Sequence, residues 1–122
     1  MVAVGETESD APDAVVCLVT APRAHGHPIA TAMIDEGLAA CVNVVPSVDS
    51  VYRWEGKVER SEESLLVVKT TRAAVRRIDE LLRAVHPYDT FELVVLDVLG
   101  GSHPYLAWIA ESVGNTSPTR TR

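Results

Sequence analysis

The sequence is poor in cysteine, with two in 122 residues, and poorer still in phenylalanine, with one. Cys17 and Cys41 each sit inside an apolar run and form no CxxC pair, which excludes a disulfide-stapled scaffold and a thiolate zinc knuckle. No apolar run approaches the length of about 18 residues that a membrane-spanning helix needs. The opening residues, MVAVGETESD, have neither the basic start nor the apolar stretch of a secretory signal, so a cytoplasmic location is expected. A basic stripe is also missing. The net charge is −6, and an acidic body disfavours binding to nucleic-acid phosphates. Nucleophile elbow, HExxH, P-loop and dinucleotide fingerprint are all absent, and a non-enzymatic role is the expectation.

What is present is an ordinary globular composition, 47% hydrophobic and 23% charged, in a length suited to one domain. Residues 1–12 and 114–122 are polar and aperiodic and read as disordered tails, the first acidic, leaving a domain over 13–113. Within it, AVVCLVT (14–20) reads as a buried strand, and Ile29, Ala30, Met33 and Ile34 recur at helical spacing up to Gly37. Two strand-like runs, 39–54 and 57–70, meet at Glu55-Gly56, the pattern of a long β-hairpin, with Pro46 marking a bulge or edge. Val75, Ile78, Leu81, Leu82 and Val85 predict a second helix after Thr71, a candidate N-cap. FELVVLDVL predicts a fourth strand, and Ser102-His103-Pro104 opens an additional C-terminal helix. The order β-α-β-β-α-β is that of an α+β, ferredoxin-like sandwich. RNA-recognition modules share this order, but LLVVKT offers one lysine and no aromatic.

Neighbouring residues in Leu65-Leu66-Val67-Val68 and Val94-Val95-Leu96 must point to opposite sides of the sheet, yet all are apolar. Two helices cover one face only. The other face is expected to be buried against copies of the same chain, with the long hairpin reaching a neighbour.

The segments 38–70, 86–96 and 105–112, with Thr20-Ala21-Pro22 before them, carry ACVN, S-x-Y-x-W-x-G-K, KT and HPY in this order. In this they closely resemble the CutA family of divalent-cation tolerance proteins. The resemblance implies a ferredoxin-like subunit, similar in shape to PII-type signalling proteins, in a homotrimer that responds to metal ions such as copper. After HPY the family usually has an acidic residue, an aliphatic residue and Pro-Glu; here Asp89-Thr90-Phe91-Glu92 carries phenylalanine at the proline position.

Three sets of candidate site residues follow. Tyr52 and Trp54 share one strand face and suit a trimer interface. Lys69, His86, Tyr88, Glu92 and Trp108, with Glu63 on the same side of the strand as Lys69, are expected to converge in an inter-subunit cleft that holds a small anionic ligand, a protein partner or a structural ion-pair network. His25, His27 and His86 are the metal-ligand candidates, for copper or another divalent ion bound weakly. In a ferredoxin-like sheet the first two strands flank the third, about 9–10 Å apart, so Cys17 and Cys41 read as separate core thiols. A PII-like effector-binding scaffold without a physiological metal is the alternative to a metal-binding trimer.

Overall fold

β1 (Ala14–Pro22) owes its place to alternation: Val15, Cys17, Val19 and Ala21 are fully buried, while Val16, Leu18 and Thr20 point the other way and are only partly covered. The computed structural model describes residues 13–114, so both expected tails lie outside the described residues apart from Gly114. α1 (Arg23–Asp35) starts directly after Pro22, earlier than its apolar repeat predicts, and takes His25, His27 and Pro28 into the helix. It ends in paired bonds, Gly37 N–H to the Ile34 carbonyl and Leu38 N–H to the Met33 carbonyl. This is a Schellman stop, completed by Leu38 and Met33 packing in the same core.

β2 (Cys41–Trp54) and β3 (Lys57–Thr71) form the long hairpin. Its two-residue turn has positive φ at both Glu55 (49°) and Gly56 (80°), the primed geometry whose twist matches the strands. The pairing register shifts between Val45 and Val48, around Pro46, as the missing N–H requires. β1 stops at the pair Pro22–Glu63, and the hairpin continues six pairs further to Trp54–Lys57, an arm projecting roughly 20 Å at ~3.3 Å per residue.

Thr71 stands at the start of a 3-10 turn, Arg72–Ala74, but its hydroxyl caps nothing. α2 (Val75–Val85) follows and stops at His86, before Pro87. β4 is shorter than predicted, Val94–Asp97, because Phe91 and Leu93 leave the strand direction to pack against the main core. α3 is His103–Ser112.

The sheet order is β2-β3-β1-β4, all neighbours antiparallel, which is the ferredoxin-like arrangement. α1 and α2 cover one face, where Ile29, Ala30, Met33, Ile78 and Leu82 join Val15, Cys17, Val19, Leu66 and Val68 in one core. α3 forms a smaller cluster with Ala14 and Ala40 through Leu106 and Ile109, with Trp108 and Tyr105 against it. The middle of the second face, with Val16, Leu18, Leu65 and Val67, has no helix over it. On the β4 edge Val94, Val95 and Leu96 remain 45%, 39% and 46% exposed.

Gly26 lies where α1 crosses β3. A Cβ built there would stand 2.7 Å from Ser64 Cβ and 2.8 Å from its Oγ, which itself donates to the Pro46 carbonyl at 2.9 Å. Gly26→Ala is therefore expected to lower stability by about 1–3 kcal/mol in a denaturant melt, the usual cost of overpacking. Combining it with Ser64→Gly should recover part of the loss, and strict additivity of the two changes would contradict the contact.

Candidate functional site

His86 organises the loop after α2. The sequence supplies it where the helix must end, and Pro87 keeps the chain extended. Tyr88 N–H donates to His86 Nδ1 at 3.0 Å, so Nε2 carries the hydrogen and donates to the Thr20 carbonyl at 2.8 Å. The ring stacks on Phe91 at 5.2 Å and lies 5.0 Å from Tyr88. Phe91, at the position where the family pattern has proline, thus fastens the loop by packing instead of by a fixed φ.

This loop faces the root of the hairpin arm across a cleft of about 770 Å³, lined by Thr20, Ser50, Val51, Tyr52, Trp54, Ser61, Glu63, Tyr88, Asp89, Thr90 and Glu92. Tyr88 O–H donates to Glu63 Oε2 at 3.0 Å, and Thr20 O–H reaches Glu92 Oε1 at 3.4 Å. The Tyr52 and Ser61 hydroxyls share a hydrogen bond of 2.7 Å. Burial, then the hydrogen bond to Glu63 and its charge, hold the Tyr88 phenol above its ordinary range, so it remains a neutral donor.

The structure brings Glu63, Tyr88 and Glu92 together, with Tyr52 and Trp54 on the opposite wall and His86 behind. It does not bring Lys69 or Trp108 there. Lys69 shares a face with Glu63 but stands six residues away along one strand, roughly 20 Å, beside Cys41 and Val16. Trp108 lies in the cluster of α3 with Tyr105, at the Ala14 end of the sheet. Equal parity gives a common face and says nothing of separation along it. The lining therefore contains three carboxylates and no lysine, arginine or histidine, which reverses the expected preference for an anionic ligand. Thr20, Ser50, Val51, Ser61, Asp89 and Thr90 line the cleft without standing out in the sequence. Counting outward from the Glu55-Gly56 turn pairs Ser50 with Ser61 on the face of Tyr52, a signal available from the sequence.

The metal candidates are dispersed. His25 and His27 sit two apart on α1, where side chains diverge by about 200°, so they do not share an ion. Both His86 nitrogens are already engaged within the protein. Cys17 and Cys41 are free thiols on strands separated by β3, and burial pushes the Cys17 thiol up to about 11, far from the thiolate a metal requires. Among the described residues no three His, Cys, Asp or Glu side chains are grouped to hold a metal, so the donors within one subunit do not fit a closed tetrahedral site.

Comparison with known proteins adds to this geometry. Residues 15–112 match the family described as CutA1 divalent ion tolerance protein. A divalent-cation tolerance protein CutA of Thermus thermophilus is 44% identical over 100 residues, covering 81% of this chain and 97% of its own. The chloroplastic protein CutA of Arabidopsis thaliana is 40% identical over 110 residues, covering 90% of this chain, which spans only 60% of that relative's length. Among solved structures, the Thermus thermophilus divalent cation tolerance protein superposes with a TM-score of 0.80 at 43% identity, covering 83% of this chain and 99% of that one. CutA1 from Oryza sativa does so at 0.80 and 41%, covering 83% and 94%. With the ACVN, YRWEGK and HPY elements all inside the matched span, the chain belongs to the CutA1 divalent ion tolerance family.

Proposed function

We propose that this member of the divalent-cation tolerance family works as a non-catalytic homotrimer that binds divalent metal weakly and exchangeably. The uncovered second face of the sheet carries the assembly reading. Its apolar centre is continuous with two open sheet edges, β2 and the exposed β4, and the edges differ in sequence and in length. Contact between two unlike surfaces is head-to-tail, and such contacts form a ring where the rotation between copies closes. The family resemblance makes the ring three-membered. The absence of catalysis is supported by His86, the imidazole nearest the cleft, whose two nitrogens are committed to backbone groups and leave no free imidazole beside the hydroxyls. Weak metal binding is supported by the dispersal of ligands, and falls to exposed carboxylates and single imidazoles such as His27. Among the described residues no helix is long and apolar enough to cross a membrane, and the two free thiols favour the reducing cytoplasm as its location.

The assembly reading is tested by light scattering at micromolar concentration, where about three times the 13.2 kDa subunit mass is expected and a stable monomer would overturn it. Trp54→Ala, at the exposed arm, should weaken assembly by about 2 kcal/mol, as aromatic anchors at interfaces do.

The metal reading is tested by titrating copper(II) or zinc(II) into protein free of any His tag. Binding should be weak, should fall on acidification as ligands take up protons, and should survive Cys17→Ser combined with Cys41→Ser. A tight stoichiometric site abolished by that double substitution would show that the thiols are the ligands.

A further inference from the structure

His86 is 8% exposed, and both ring nitrogens bond to backbone groups, Nδ1 to the Tyr88 N–H at 3.0 Å and Nε2 to the Thr20 carbonyl at 2.8 Å. Backbone partners leave no choice of role, because an amide N–H can only donate and a carbonyl can only accept. The ring is therefore held neutral, with its hydrogen on Nε2. A second proton would have to sit on Nδ1, where it would point at the Tyr88 N–H and set two donors against each other. The Thr20 bond, donated by Nε2, and the ring contact with Phe91 at 5.2 Å suit the charged imidazole as well as the neutral one. Only the bond that ties Tyr88 to the ring is incompatible with the charge.

The charged groups carried by the surrounding elements are mostly acidic. β3 brings Glu63, which accepts from the Tyr88 hydroxyl at 3.0 Å, and the loop brings Asp89 and Glu92, the latter reached by the Thr20 hydroxyl at 3.4 Å. α2 brings Asp79 and Arg83, paired with each other at 3.1 Å beside Phe91. α1 brings Arg23, paired with Glu62 at 3.3 Å, together with His25 and His27, and β1 has no charged side chain. The carboxylates favour a positive ring, while the Tyr88 N–H forbids one as long as the loop is closed. We propose that the His86–Tyr88 contact is an acid-released latch: when the imidazole takes up a proton, Tyr88 swings away from it, gives up its bond to Glu63, and opens the loop side of the cleft. Thr20 and Phe91 keep the His86 ring in place. The released loop binds one proton more than the latched one, so acidification drives release and a rise in pH restores the latch. This inference rests on the loop alone and is independent of metal binding and of the number of subunits.

The test follows hydrogen exchange at the Tyr88 amide by NMR, in the full chain in its native assembly, with each rate divided by its intrinsic rate at that pH. Light scattering reads the assembly state of the same samples. Between about pH 7.5 and about pH 5.5, where imidazole gains its charge, Tyr88 protection should fall by about tenfold, the scale of one hydrogen bond. The fall should coincide with the arrival of the second ring proton in the nitrogen spectrum of His86, while the core amides of Leu66 and Val68 stay protected. His86→Asn keeps an acceptor for the amide two residues on, as in an Asx turn, and takes up no proton, so in it Tyr88 should stay protected at both pH values. Because His86 is buried and its replacement can disturb folding, the unsubstituted chain supplies a second criterion: loss of Tyr88 protection before His86 gains its proton would overturn the proposal. Unchanged Tyr88 protection across the range would also overturn it, as would persistence of the loss in His86→Asn. Equal loss at Leu66 and Val68 would do the same, marking general acid unfolding in place of a latch.

Discussion

The sheet is apolar on both faces and the chain has helices enough for one. Everything else in the molecule follows from that imbalance. Val15, Cys17, Val19, Leu66 and Val68 meet α1 and α2 and make a closed core, while Val16, Leu18, Leu65 and Val67, one residue out of step on the same strands, have no helix over the middle of their face. A strand cannot bury one set without presenting the other, because its side chains alternate. At ~25 cal/mol per Å² the second set favours a partner surface strongly, and β4, four residues long and exposed throughout, gives that surface an open edge.

The same strands decide where a ligand site can form. Face-sharing residues of β3 run from Lys69, beside the small α3 cluster, to Glu63 at the root of the projecting arm. The apolar middle separates a basic end from an acidic one. α3 folds back over the Lys69 end, and the 86–92 loop over the acidic one, because α2 must stop before Pro87 and the return to β4 has to pass Thr20. His86 converts that return into a fixed loop with two hydrogen bonds and a stacked ring. The cleft is therefore a by-product of a hairpin longer than its neighbours and a loop held by a buried imidazole.

Most of this architecture was legible in the sequence because it rests on local rules. Glu55-Gly56 announced the hairpin, Pro46 the bulge, Gly37 the helix stop, and the doubled apolar runs the uncovered face. The failures arose where distance along an element mattered. Parity placed Lys69 and Glu63 on one face correctly but could not tell that six residues of strand lie between them. His25 and His27 looked paired because a helix start was expected after them; once inside α1, their spacing sends them apart. Trp108 has the chemistry of a cleft wall, whereas the position of α3 depends on the Ala14 and Ala40 surface, which no local pattern specifies.

Phe91 shows how a departure from the family pattern can be absorbed. Proline in a loop restricts φ without needing a contact; phenylalanine restricts nothing and must find one. Here it finds the His86 ring on one side and the main core on the other, so the loop is held by burial. That exchange couples the cleft to the core directly. Tyr88, Phe91 and His86 form one packed unit, and the Glu63 carboxylate is attached to it through a single phenol. The Glu63 carboxylate is thereby tied to β3, to the loop and, through the loop's bonds to Thr20, to β1, so that the cleft is braced by two strands of the sheet and not by the loop alone.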